Sequence, residues 1–234
     1  MKRSKVIILI IILISYLLQG LCFYCTPKLY YENGFAVGIA SNLKYTEVAF
    51  EIIYVMMHIL FVLFFFNGTF GELKNGYSKL VVIRNYSKVK LMLKTILKNM
   101  GILGIIVFVH LLIFLLFNNY LQKINGGMEK TLILYFLVLN AIVCLQYLLE
   151  FFIPENAVVA ILSIYSFLSY YLVQISRENS LVMKIILFPS LMYGMQNEAI
   201  TGNTLFYTYL SAAIVINIIL SVIVIVKFKK TDIF

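Results

Sequence analysis

The chain has 234 residues, 62% of them hydrophobic and only 12% charged, with a net charge of +9. Soluble domains carry about 25% charged residues, so this composition and a mean hydropathy of +0.97 exclude an ordinary soluble domain and predict an all-α, polytopic membrane protein. The basic balance would suggest nucleic acid in a soluble protein. Here Lys and Arg stand at the ends of apolar runs, where they act as topology signals, so the expected partner is the lipid bilayer and not nucleic acid.

The first apolar run, Val6 to about Phe23, follows a short basic start, MKRSK. It is long for a signal-peptide core and no small-residue cleavage pair follows it, so an uncleaved first span with its N-terminus inside is expected. Cys22 and Cys25 form one C-x-x-C at its end; without a second ligand pair this is not a zinc site. Residues 26–46 read as an outer loop, with Pro27 and Asn33-Gly34 as turn signals.

The second span is expected over Val48–Phe66. Glu47 and Glu51 lie one turn apart at its outer end, and an acid within a span is a functional candidate by default. Glu51 is therefore a candidate polar residue of a transport path, with snorkelling to the interface as the plainer reading. His58, at mid-span, joins it as a candidate, although a packed, hydrogen-bonded histidine accounts for it as well, and for His110 in the third span.

From Gly71 to Lys98 the chain turns polar and basic. Lys74, Lys79, Arg84, Lys88, Lys90, Lys94 and Lys98 fall here with a single acid, Glu72. Such a segment resists translocation and is expected in the cytoplasm. Leu73, Tyr77, Leu80 and Val81 fall at i, i+4, i+7 and i+8, which predicts a surface helix with one apolar stripe. Gly76 weakens that helix by ~1 kcal/mol. Asn85-Tyr86-Ser87 breaks it, and Ser87 is a candidate N-cap for a long helix running into a third span from about Met100 to Phe117.

Asn118–Lys130 is expected as an outer loop and Thr131–Phe151 as the fourth span. Asn140 and Gln146 within it can hydrogen-bond between helices, and Asn140 is a further candidate for a polar transport path. Pro154 breaks the chain between Glu150 and Glu155 in a very short inner turn that has no Lys or Arg. The fifth span is expected over Ala157–Ile175 and the last over Leu205–Val226. Between them, Leu181–Met195 is too short to span and too apolar for a solvated loop, which predicts an outer re-entrant or interfacial hairpin. Lys227, Lys229 and Lys230 then place the C-terminal tail inside. The whole reads as one membrane domain, residues 1–234, of six spans with both termini cytoplasmic.

Glu72, Gly76, Leu80, Arg84, Ser87 and Lys94, taken in order, resemble the cytoplasmic loop of type-2 ABC exporter permeases. That family has an acid-x-x-x-Gly segment after its second span, a break, and a Lys opening the third. Six spans, an apolar outer hairpin before the last, and the basic tail with Lys229, Lys230 and Asp232 are also similar to it. The resemblance implies a permease of the peptide-export or bacteriocin-immunity type in a bacterial cell membrane. It implies a second permease chain, identical or homologous, and a separate ATPase subunit docked on Glu72, Leu73, Gly76, Tyr77, Leu80, Arg84 and Ser87. The chain has no G-x-x-x-x-G-K-[ST] phosphate loop, so ATP and its Mg2+ are expected in that partner, with no catalysis and no cofactor here. A membrane-embedded immunity or binding protein that works without ATP is the alternative. An intramembrane enzyme is not expected, since no paired acids or H-E-x-x-H accompany the histidines.

Overall fold

The computed structural model describes residues 3–25, 57–75, 87–117, 128–176, 181–192 and 203–230. Among these residues the chain is helical and contains no strand. Helices suit this composition because each satisfies its own backbone hydrogen bonds, which lipid cannot do. The elements are α1 (Arg3–Cys25), α2 (residues 57–66), α3 (Thr69–Asn75), α4 (Lys88–Phe117), α5 (Met128–Leu149), α6 (Glu155–Ser176), α7 (Leu181–Ile186), a 3-10 turn (Phe188–Met192) and α8 (Asn203–Lys230).

Among the described residues three stretches are long and apolar enough to cross a membrane: Lys88–Ile113, Leu132–Leu149 and Phe206–Lys230. Shorter apolar helical stretches occupy Lys5–Leu18, Met57–Leu73 and Glu155–Ser169. The helices fall where the apolar runs predict them, with α4 beginning directly after Ser87. The Ser87 carbonyl accepts the Leu91 N–H at 3.0 Å, which is the N-cap position. The fourth-span helix stops at Leu149 and the next starts at Glu155, so the Pro154 break is present as a turn. Glu51, Gly76, Tyr77, Leu80 and Arg84 lie outside the described residues.

α5 is the centre of the bundle. It packs against α8, α4, α6 and the 3-10 turn, while α1 packs on α4. Leu134, Val138, Ile142 and Tyr147 of α5 are buried against Leu103 and Val107 of α4 and Phe206 and Ala213 of α8. The outer faces stay apolar: Ile7 and Leu18 of α1, Ile105 and Phe108 of α4, and Ile218 and Val222 of α8 are exposed. In a membrane these are lipid-facing positions. The 3-10 turn is packed inward, with Phe188, Ser190 and Leu191 buried, while Val182 and Ile186 of α7 are exposed. The Tyr165 hydroxyl donates to the Ile186 carbonyl at 2.5 Å and fastens α7 to α6.

Polar bonds lock α5 to α8. Asn140 Nδ2 donates to Asn217 Oδ1 at 2.7 Å. Asn217 Nδ2 donates in turn to the Leu137 and Ala213 carbonyls at 2.9 and 2.8 Å. One helical turn further, Cys144 Sγ lies 3.7 Å from Ser221 Oγ. Interhelical bonds of this kind contribute about 0.6–2 kcal/mol each in a membrane. Replacing one partner also strands the other without a bond. We therefore expect N217L to destabilise the fold by roughly 1–2 kcal/mol, and N140L/N217L to recover part of that loss, as measured by denaturant unfolding in micelles.

Candidate functional site

The candidate site forms at one end of the bundle, where two turns meet. Asn67-Gly68 separates α2 from α3, and Gly68 has φ 73°, a left-handed conformation that glycine adopts without the Cβ penalty. The first bond of α3 runs from the Glu72 N–H to the Gly68 carbonyl at 2.9 Å. The second turn is 150–154, between α5 and α6, with the Pro154 carbonyl accepting the Val158 N–H at 3.1 Å. The Glu155 carboxylate at the start of α6 lies directly on the first turn. A Cβ on Gly68 would stand 2.9 Å from Glu155 Oε2, and one on Gly71 would collide with Glu155 Oε1. A side chain at either position would displace the Glu155 carboxylate, and at Gly68 it would also strain the backbone.

Phe70 is buried between these turns. Its ring centroid lies 4.1 Å from that of Phe151 and 6.0 Å from that of Phe228 at the end of α8. Lys227 of α8 stands over the Phe152 ring at 4.6 Å. Lys5 of α1 donates to Thr69 Oγ1 at 3.4 Å and pairs with Glu72 at 3.8 Å. Asn67 Nδ2 donates to Asn156 Oδ1 of α6 at 3.2 Å. Asn99 of α4 donates to the Tyr147 hydroxyl of α5, which is also within reach of Thr69. The short helix α3 is therefore joined to α1, α5, α6 and α8. Its Leu73 is buried while Glu72, at 43% exposure, faces outward; Tyr77, Leu80 and Val81 of the predicted stripe lie outside the described residues.

Glu150 sits under this arrangement, only 9% exposed, just beyond the apolar stretch of α5. Gln146 Nε2 donates to its Oε1 at 3.0 Å and to the Leu63 carbonyl at 3.1 Å. Burial raises the pKa of Glu150 from 4.5 to about 7; the Gln146 bond and the nearby amides of Phe70 and Gly68 oppose that rise, and Glu155 adds to it.

α4 leads away from the same end with two faces. Met92, Ile96, Asn99 and Leu103 are buried, while Lys90, Lys94 and Lys98, spaced by four, form an exposed basic stripe.

A second polar cluster lies within the bundle. Tyr16 of α1, His58 of α2, His110 of α4 and Tyr135 of α5 are all buried. Tyr16 stacks on His110 with centroids 3.8 Å apart, and His58 meets both edge-on at 4.9 and 5.0 Å. Tyr135 completes the group 6.1 Å from His110. The two histidines, which the sequence places in separate spans, are thus one packed unit. Among the described residues no three His, Cys, Asp or Glu side chains gather as a metal-binding group. Of the other path candidates, Asn140 is engaged with Asn217.

Of the residues singled out in the sequence, Glu72 and Leu73 lie on α3 and Ser87 directly precedes α4; the sequence does not predict the partners of α3. Glu150 and Glu155 read only as turn neighbours. The available signal was an acidic turn without a basic residue, together with the spacing Gly68-Thr69-Phe70-Gly71 after the second apolar run.

Residues 6–234 match the model of a protein family of unknown function, DUF2705, and the chain belongs to that family. No curated protein and no solved structure matches it.

The buried carboxyl makes stability pH-dependent with a definite sign. Between pH 4.5 and about 7 the folded chain holds a proton on Glu150 that the unfolded chain releases, so stability from this group is present at low pH and is lost as pH rises through that window. E150Q removes the term. Unfolding in buffer free of divalent cations should show the variant more stable than the parent at pH 8, by roughly 3 kcal/mol at most, with the difference gone by pH 4.5.

Proposed function

We propose that the chain is the membrane-spanning permease subunit of an ATP-driven exporter of the type-2 ABC class, moving or expelling a peptide such as a bacteriocin. The observation that carries this reading is α3. It is seven residues long, presents Glu72 outward, and is bonded or stacked onto α1, the α5–α6 turn and α8. A force applied to such a helix reaches several membrane helices at once. This is what coupling to a soluble motor requires, since the ATP-bound partner must favour one arrangement of the spans over another. The exposed stripe Lys90, Lys94 and Lys98 adjoins the same end and offers charge to that partner or to anionic lipid.

Six spans with both termini in the cytoplasm suit this reading. The start of α1, the end of α2, the α5–α6 turn and the end of α8 meet in one place, as they must if successive helices alternate in direction. The Lys and Arg excess there makes that end the cytoplasmic one. Residues 181–192 then belong to an outer hairpin before the last span. The cargo path is assigned to the interface with a second permease chain, because the polar groups within this chain are packed against one another.

Affinity purification of the tagged protein from its native membrane tests the reading. A Walker-type ATPase should co-purify with the parent and be lost, or reduced by about tenfold or more, from E72A/R84A. If no ATPase accompanies the parent chain, the exporter reading fails and an ATP-independent immunity or binding protein takes its place.

A further inference from the structure

The end hub contains several buried side-chain oxygens without a hydrogen bond, beside a carboxylate that the Phe70 and Gly68 amides approach. Gln146 is fully buried, at 0% exposure. Its Nε2 donates to two acceptors, Leu63 O and Glu150 Oε1. Those partners fix which way the amide points, and its Oε1 is left without a hydrogen bond. One helical turn further on, Glu150 Oε2 is buried and likewise unbonded. Asn67 Oδ1, on the turn that faces them, is a third. The Glu155 carboxylate lies against Gly68 and Gly71 on that same turn, close enough to Glu150 to act on it electrostatically. Among the described residues no Lys or Arg pairs with either Glu150 or Glu155; Lys5 is engaged with Thr69 and Glu72.

An unmet buried acceptor costs about 1–3 kcal/mol, more when charged, and two carboxylates brought together without a cation repel. Such oxygens, contributed by the Asn67 turn, α5 and α6 at one end of the bundle, suit a positive charge. We propose that Glu150, Glu155, Gln146 Oε1 and Asn67 Oδ1 form a binding site for a hard divalent cation of the Mg2+ class. The donor set is all oxygen, which suits Mg2+, Ca2+ or Mn2+ and not softer metals. Two carboxylates with neutral oxygens and water match the way Mg2+ is held, whereas Ca2+ takes six to eight oxygens at longer distances. The bound ion ties the Asn67 turn to α5 and α6 and so fixes α3 on the bundle. This inference does not depend on the transport reading, because it rests only on the oxygen cluster.

The test uses the untagged full chain in nanodiscs of zwitterionic lipid at pH 8, with Mn2+ as the probe. Free Mn2+ is read by its electron paramagnetic resonance signal, and Mg2+ is added in competition. The expected result is saturable binding of about one Mn2+ per chain, displaced by Mg2+ and weakened at least about tenfold in both E150Q and E155Q. Glu155 is half-buried, so E155Q keeps the test open if E150Q does not fold, with helical content checked by circular dichroism. No saturable Mn2+, or binding unchanged in the folded variants, overturns the proposal.

Discussion

The contact between the Asn67-Gly68 turn and the 150–154 turn organises the molecule. Gly68 and Gly71 leave room for the Glu155 carboxylate to lie against the Asn67-Gly68 turn and the start of α3. That approach brings Phe70 between Phe151 and Phe228 and sets Lys5 against Thr69 and Glu72. The contact also buries Glu150, whose charged form is disfavoured by that burial. One local fit thus determines where the ends of several helices gather, and it leaves an acid in a place where its charge matters.

Elsewhere the bundle is held by a different balance. Lipid and protein interior are both apolar, so burying Leu or Ile between membrane helices gains little over leaving it in lipid; packing and polar bonds carry the association. The Asn140–Asn217 and Cys144–Ser221 contacts, the Asn99–Tyr147 bond and the stacked Tyr16–His110 pair all join different helices. Each places polar groups where lipid would leave them unsatisfied, which ties the sequence to one arrangement of neighbours. The Ser side chains of α6 solve the same problem within their own helix, Ser163 and Ser169 donating to carbonyls one turn back.

The same balance explains what could be read in advance. Helix positions were legible because lipid demands long apolar runs, and Pro154 and Ser87 marked helix limits through backbone chemistry. On α3 the apolar Leu73 is buried and the charged Glu72 is exposed, as their side-chain chemistry alone would suggest. Which face of a membrane helix turns inward was not legible. On α8 the exposed Val222 and Ile223 and the buried Val224 and Phe228 are all apolar, so no periodicity separates lipid from core. His58 and His110 could be placed in depth within their spans but not in rotation about their helices, and their meeting with Tyr16 and Tyr135 had no sequence signature. The Glu150–Glu155 site was hidden for a related reason: its partners come from segments about 80 residues away.

In the proposed function one end of the bundle is a single cytoplasmic assembly on which a partner can act. Cysteine accessibility tests this most directly. In a background without Cys22, Cys25 and Cys144, the variants E72C, S87C, N156C and K229C would be treated one at a time with a membrane-impermeant maleimide, in intact cells and in inverted vesicles. All four should label only in inverted vesicles. Labelling of any of the four in intact cells would place that position on the opposite side of the membrane, and the assembly described for this end of the chain could not stand.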